Sequence, residues 1–245
     1  MTVHSRAALR SAACDESAVA NRTALLQALP SALGTVGPLI RTSGHLFGTG
    51  RIDRTSPFGN GDDGAVGLGY LVEIATELLA AGADLISQKR RYATAALVRQ
   101  VVELEYLSWA FAYDHTEAAD WLRSTREQRM SRWQPSRLRK RSNGRFNAGD
   151  YHQHCEFGGH PTPVGARALL GSGVDSEPTL DEVLRFELCL HGSQIWRYAQ
   201  VAALELGVAF PSSAQTLALE VAIEAWTTTD RLRSVTGHED FASGS

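Results

Sequence analysis

Residues 89–113, KRRYATAALVRQVVELEYLSWAFAY, predict one long helix that is apolar on nearly every face. A helix of this kind is buried on all sides by its neighbours. Arg99, Glu103 and Glu105 lie near its centre. Because charges are costly in lipid, we interpret the segment as part of a globular core rather than as a membrane span. The segment therefore predicts the central member of a helical bundle.

The sequence on both sides of this helix also carries helical signals. Asp62 or Asp63 can cap a preceding helix, and Thr179 with Glu182 three residues later resembles a capping box. Frequent glycines and two prolines predict loops and short turns over 34–69. The predicted helices cover about 17–33, 64–87, 116–122, 148–157, 164–170, 179–206 and 217–233, with a short basic helix that ends near 141.

The chain shows no sustained strand alternation and no repeat of solenoid period. We therefore predict an all-α fold, an irregular helical bundle of four to five long helices plus short helices. A chain of 245 residues buries enough surface to fold as one domain without disulfides or a structural metal. The expected domain covers 18–236, between a flexible N-terminus over 1–17 and a flexible tail over 237–245.

Composition narrows the location and the partners. Three widely spaced cysteines without a CxxC motif indicate reduced thiols, and the first thirty residues contain no apolar run of signal-peptide length. We therefore expect a cytoplasmic protein that does not enter a membrane. The net charge of -3 gives no overall attraction to nucleic acid, so a nucleic acid or phosphate ligand would have to meet a local basic surface. Whether the chain forms oligomers stays open.

Histidines and acids are concentrated in the segment DYHQHCEFGGH, which begins at residue 150. Acid and histidine side chains four residues apart share a helix face, and helical bundles hold metals by pointing such pairs inwards. The pairs with this spacing are Asp150 with His154, His152 with Glu156, Glu156 with His160, and Glu187 with His191. One hypothesis is therefore a divalent metal cofactor bound by His152, Glu156, His160, Glu187 and His191.

The same region supports general acid and base chemistry on a small polar substrate. Arg99 stands four residues before Glu103 and can orient its carboxylate. The candidate catalytic residues are Arg99, Glu103, His152, Glu156 and His160. The structural alternative is that Arg99 and Glu103 form an ion pair within one helix, and that His152 and Glu156 form a surface pair. Whether the protein is an enzyme or a non-catalytic interaction module stays open.

Residues 123–145 contain nine positive charges and one negative charge, with Trp133 and Phe146 close by. Arginine beside aromatic side chains suits phosphate pairing and base stacking. The candidate nucleic-acid-binding residues are Arg132, Arg137, Arg139, Arg141 and Arg145. The alternative is a solvated helix face whose arginines pair with acids elsewhere in the chain.

The segment ALVRQVVE at 96–103, followed by Tyr151, CEF at 155–157 and GHPTP at 159–163, resembles bacterial all-helical families of unknown function. The resemblance covers roughly residues 70–200. It implies an all-helical fold without an established activity, and it implies that five side chains converge: Arg99, Glu103, Tyr151, Glu156 and His160. Gly158 departs from this pattern, in which a bulkier apolar residue is expected.

Arg145 and His152, with six residues between them, resemble the arginine-to-histidine motif of the HEPN ribonucleases, which are helical-bundle proteins. This resemblance implies RNA binding, with His152 as a catalytic base. The chain departs from the motif at Phe146, where a polar residue usually follows the arginine.

Overall fold

The computed structural model describes residues 6–170 and 177–236, and the predicted tail over 237–245 lies outside these residues. The described backbone forms helices and no strand, which confirms the all-α prediction. The helices are α1 Arg6–Ala13, α2 Glu16–Leu46, α3 Asp63–Ser87, α4 Arg91–Tyr113, α5 Glu117–Arg123, α6 Arg126–Arg132, α7 Pro135–Arg141, α8 Ala148–His154, α9 Pro163–Leu170, α10 Glu177–Glu205, α11 Ala214–Thr229 and α12 Leu232–Thr236, with a π-helical turn Cys155–Gly159 after α8.

Helix α4 is the centre of the bundle, as its all-round apolarity predicts. It packs against α3, α5, α7, α8, α9, α10 and the π-helical turn. Val98, Val101 and Val102 are almost completely buried in the core. Because α4 is covered on several sides, the charges on it face other helices as well as solvent.

Helix α2 is longer than the sequence predicts. It continues to Leu46 through Pro30 and Pro38, whereas we expected loops after residue 33. A proline inside a helix costs about 3 kcal/mol or more. Close packing against α3 opposes this cost: a Cβ on Gly44 would lie 2.7 Å from the backbone nitrogen of Val66, so only glycine allows the two helices to approach so closely. The predicted loop shrinks to the residues between Leu46 and Asp63.

Residues 6–13 are helical, within the segment that we expected to be flexible. Residues 6–13 form α1, and Ala12 and Ala13 are buried. The backbone oxygens of these two alanines accept hydrogen bonds from Arg22 on α2, at 3.1 and 2.6 Å. Arg22 lies fully buried and also donates to Asp230 and Glu182. A single side chain therefore connects α1 and α2 with α10 and with the turn between α11 and α12.

Three other boundaries differ from the predictions. Thr179 lies inside α10, which begins at Glu177, so this residue is not the helix cap. The predicted helix over 217–233 is two helices, because Asp230 ends α11 and accepts from the backbone nitrogen of Leu232. The predicted helix over 148–157 ends at His154 and gives way to the π-helical turn.

Helices α2 and α3 are long and apolar enough to cross a membrane by length and composition, with mean hydropathies of 1.3 and 1.4 over their most apolar windows. About half of each window is buried inside the protein, 44% in α2 and 56% in α3. Core helices of soluble proteins meet the same criterion, so these two helices are weak evidence for membrane spans.

Candidate metal centre

A short helix and a tight turn place the histidine-rich segment against the core. The side chain of Asn147 accepts from the backbone nitrogen of Gly149 and caps α8. In the π-helical turn, a Cβ on Gly158 would lie 2.3 Å from the backbone of Ala95 and Ala96 on α4. Only glycine allows this approach, which explains why no bulkier residue stands at position 158. The turn fixes α8 beside α4 and α10.

Two acid-histidine pairs face each other across α8 and α10. Asp150 and His154 are four residues apart on α8, and Glu187 and His191 are four residues apart on α10. Together with Glu105 on α4, these residues form a cluster that we call the histidine-carboxylate cluster. Glu105 and His191 are buried, His154 and Glu187 are partly buried, and the Asp150 side chain is 26% exposed.

The ring nitrogens and carboxylate oxygens of the cluster lie close together. His191 Nε2 lies 3.3 Å from Glu187 Oε2, and His154 Nε2 lies 3.8 Å from the same oxygen. His154 Nε2 is also 3.6 Å from Asp150 Oδ1. The two imidazole rings meet edge to face, with their centroids 5.5 Å apart. Among the described residues, one group could hold a metal ion: Asp150, His154 and His191, whose ligand atoms all lie within 4.8 Å of one another.

Glu105 determines the orientation of His191. Its Oε2 lies 2.5 Å from His191 Nδ1, and this contact turns Nε2 of the same ring towards Glu187. Burial lowers the pKa of His191, but the charge and hydrogen bond of Glu105, with a smaller contribution from Glu187, outweigh burial and raise the pKa to about 10. The imidazole is therefore a cation at neutral pH in the protein without bound metal.

Aromatic side chains surround the cluster. Burial raises the pKa of Tyr106 above its ordinary value, and the nearby charges of Glu105 and Asp150 raise it further. Burial also raises the pKa of Tyr198 to about 12, although Arg145 donates to its hydroxyl at 2.8 Å. Both phenols are neutral at physiological pH and lie within electrostatic range of Glu105.

A second polar group lies on the neighbouring face of α4, and we call it the Tyr151 cluster. Arg99 Nη2 lies 2.9 Å from Glu103 Oε1, so the predicted contact between these two residues is present. The Tyr151 hydroxyl donates to Glu103 at 2.8 Å and accepts from Arg99 at 3.4 Å. The guanidinium of Arg139 lies 4.4 Å from the centre of the Tyr151 ring.

The structure places the other predicted site residues apart from these two clusters. His152, Glu156 and His160 are exposed. Asp150 and His154 face α10, so His152, two residues from each, points to the opposite side of a helix. After His154 the backbone changes to π-helical geometry, which alters the direction of the following side chains. Of the predicted metal ligands, Glu187 and His191 belong to the histidine-carboxylate cluster.

Sequence reasoning missed Asp150, His154 and Glu105 as members of the site. The signal for the first two was visible, because their spacing equals that of Glu187 and His191. Overlapping pairs in one short segment did not show which pair faces inwards. The sequence did not show that Glu105, rather than Glu103, faces the site, because both lie on a helix that is apolar all round.

The arginine-rich segment is largely tied to the protein itself. Glu117, with a side chain only 1% exposed, accepts from Arg132 at 3.0 Å and from Trp133 Nε1 at 2.5 Å. Arg141 also pairs with Glu117. These contacts match the alternative in which the arginines pair with acids elsewhere in the chain. Of the remaining candidates for phosphate contacts, Arg137 is exposed, Arg139 lies on Tyr151 and Arg145 contacts Tyr198.

Comparisons of the chain with known protein families, with curated proteins and with solved structures found no match.

Proposed function

We propose that this chain is a metalloprotein that binds one divalent transition-metal ion through Asp150, His154, Glu187 and His191. The observation that carries the proposal is the convergence of Asp150, His154 and His191, whose ligand atoms lie within 4.8 Å of one another between two facing helices. Glu187 adds a carboxylate oxygen 3.3 and 3.8 Å from the two imidazole nitrogens.

The separations agree with those of a tetrahedral site. Zinc binds nitrogen and carboxylate oxygen at about 2.0 to 2.2 Å, so neighbouring ligand atoms of a tetrahedron lie about 3.3 to 3.6 Å apart. The separations in the cluster are 3.3, 3.6 and 3.8 Å. These three separations are close to tetrahedral ones, and those among the ligand atoms of Asp150, His154 and His191 are at most 4.8 Å.

The donor types narrow the choice of metal. Two imidazoles and two carboxylates suit zinc, manganese, iron or cobalt, whereas calcium and magnesium prefer oxygen ligands alone. Ligation requires a neutral imidazole, so the metal takes the place of the proton on His191 Nε2. The three carboxylates of Glu105, Asp150 and Glu187 provide the attraction for a doubly charged ion.

Glu105 completes the arrangement from outside the ligand set. A ligating histidine usually donates its other ring nitrogen to a carboxylate, which fixes the ring and makes it a better ligand. Glu105 Oε2 lies 2.5 Å from His191 Nδ1 and has this role. Asp150 is the most exposed of the four ligands, so solvent or a small polar substrate would approach from its side.

We propose that the site supports metal-assisted acid and base chemistry in the cytoplasm. A bound metal would supply a Lewis acid that polarises a substrate oxygen. The chain would supply the neutral phenols of Tyr106 and Tyr198 as nearby donors. The described cysteines Cys14, Cys155 and Cys189 are free thiols, which supports a reducing compartment.

The test is metal analysis of protein purified without a histidine tag. We expect one zinc per chain, and cobalt substitution should give the visible absorption of a four-coordinate site. His154→Ala should abolish stoichiometric binding. His152→Ala is the matched control, because this exposed residue lies two positions away on the same helix, and it should bind as the wild type does.

Circular dichroism would confirm that both variants keep their helical content. The proposal fails if the wild-type chain takes up no stoichiometric metal. It also fails if His152→Ala and His154→Ala reduce metal binding equally.

A further inference from the structure

We propose that Arg139 is the binding residue for an oxyanion, a phosphate or carboxylate group, at the Tyr151 cluster. This site goes beyond the metal centre, because Arg99, Glu103, Arg139 and Tyr151 are not among its ligands. Arg139 is also one of the candidate nucleic-acid-binding residues, but the oxyanion site depends on its guanidinium and on the Tyr151 cluster, and not on the other arginines of that segment.

Arg139 differs from other arginines of its segment. Arg123 pairs with Asp63 at 2.6 Å, and Arg132 and Arg141 both pair with Glu117. Among the residues that the structure describes, Arg139 has no carboxylate within 4.0 Å. Its Nη1 is buried without a hydrogen-bond acceptor.

The contact with Tyr151 does not satisfy this nitrogen. The guanidinium carbon of Arg139 lies 4.4 Å from the ring centroid, which is a cation-π contact with the face of the ring. A cation-π contact attracts the charge of the guanidinium and supplies no lone-pair acceptor to its N–H groups. Arg139 is thus held against Tyr151 while its Nη1 has no acceptor among the described residues.

The charges of the Tyr151 cluster also favour an anion. Arg99 and Arg139 carry two positive charges, and Glu103 supplies one negative charge through its contact with Arg99 at 2.9 Å. Burying a charge without a partner is costly, so a half-buried group with one excess positive charge favours an anion. An oxyanion matches the planar donors of Arg139, because arginine binds carboxylate and phosphate through paired N–H donors.

The position of the site connects it with the metal centre. Tyr151 directly follows Asp150 on α8, and its ring lies 6.1 Å from that of Tyr106. Arg139 and Asp150 are both close enough to Tyr106 to shift its pKa, in opposite directions. The oxyanion site and the metal centre therefore both lie within electrostatic range of Tyr106.

The experiment measures binding of inorganic phosphate and of acetate to the full chain by calorimetry at low ionic strength. Arg139→Gln removes the charge, and Arg137→Gln is the matched control, because Arg137 is exposed on the same helix two residues away. We expect Arg139→Gln to lower the affinity for the preferred anion at least tenfold. Arg137→Gln should change this affinity less than twofold. Arg139→Lys keeps the charge but loses the planar donors, so its anion affinity should lie between those of the other two variants.

A second set of titrations distinguishes anion binding at Arg139 from anion binding to the metal. The same titrations are repeated on protein treated with a chelator and on protein loaded with zinc. Anion binding that depends on Arg139 in both states supports the proposal even if the metal hypothesis fails. Binding that requires zinc and is unchanged in Arg139→Gln places the anion on the metal and overturns the proposal. Equal binding by wild type and Arg139→Gln in both states also overturns it.

Discussion

Arg22 and His191 are both buried cations that lie between two carboxylates, yet their surroundings differ. Arg22 has five N–H donors, and all five are used: two by Asp230, one by Glu182, and two by the backbone oxygens of α1. His191 lies 2.5 Å from Glu105 and 3.3 Å from Glu187, and His154 approaches the second carboxylate from 3.8 Å.

The difference separates a structural ion cluster from a candidate site. In the Arg22 cluster, short contacts satisfy every donor, so there is no room and no unused charge for a ligand. The histidine-carboxylate cluster brings three carboxylates and two imidazoles together, with several separations longer than a hydrogen bond. Titratable groups with shifted pKa values gather at functional sites, whereas fully satisfied networks rigidify the fold.

The largest change in stability is expected when the Arg22 cluster is disrupted. Arg22→Met removes the cation and leaves Asp230 and Glu182 buried without it, and breaking a buried pair in this way costs about 3 to 5 kcal/mol. Urea denaturation should show this loss in the free energy of unfolding. Arg231→Met, at an exposed position, should change the same quantity by less than about 0.5 kcal/mol. A loss at Arg22 no greater than the loss at Arg231 would contradict the structural role.

A smaller change in free energy, measured as metal affinity, is expected when Glu105 is substituted. Glu105→Gln keeps an oxygen that can accept from His191 Nδ1 but removes the negative charge, and changing such an outer partner typically costs 10- to 100-fold in metal affinity. Competition with a chromophoric zinc chelator measures the change. Glu103→Gln is the matched control on the same helix, because Glu103 pairs with Arg99 outside the cluster. Equal affinities for the two variants would show that Glu105 does not act on the metal.

The sequence predicted the architecture better than the site, and α4 and α8 show why. An all-round apolar pattern identifies α4 as a core helix in any register, because apolar residues occupy nearly every face. The same uniformity hides which of Glu103 and Glu105 faces α10. Helix α8, AGDYHQH, has no buried residue and so no apolar stripe to fix its orientation. The packing of Gly158 against α4 therefore determines which pair faces the core, Asp150 with His154 or His152 with Glu156. The sequence pattern does not reveal this packing.

The prediction of loops after residue 33 was wrong for the same reason, because packing against another helix decides the outcome. Pro30 and Pro38 are local signals against a helix, and the prediction of loops followed them. The helix continues because Gly37 and Gly44 allow α3 to pack closely along it. Contacts between segments distant in sequence outweighed the local preference.

Asp63 provides a test at a third buried charge, one that is satisfied like Arg22. It accepts from Ser56 and Asn60, each at 2.7 Å, and from Arg123 at 2.6 Å. Burial raises the pKa of its carboxyl, but these hydrogen bonds and the charge of Arg123 outweigh burial and hold the pKa below its ordinary value. The folded state therefore binds this proton less readily than the unfolded state does.

The direction of the pH effect follows from this difference. A carboxylate with a lowered pKa contributes stability above its unfolded value of about 3.9, and the contribution disappears as the pH falls through the folded pKa. Asp63→Asn removes this contribution, so the variant should be less stable than wild type at pH 6, and the gap should narrow as the pH falls from 4 towards 2. Urea unfolding at a series of pH values measures both quantities. A gap that stays constant or widens in acid would mean that the Asp63 charge is not compensated as its contacts indicate, and Arg22 would be left as the single example of a fully satisfied buried charge.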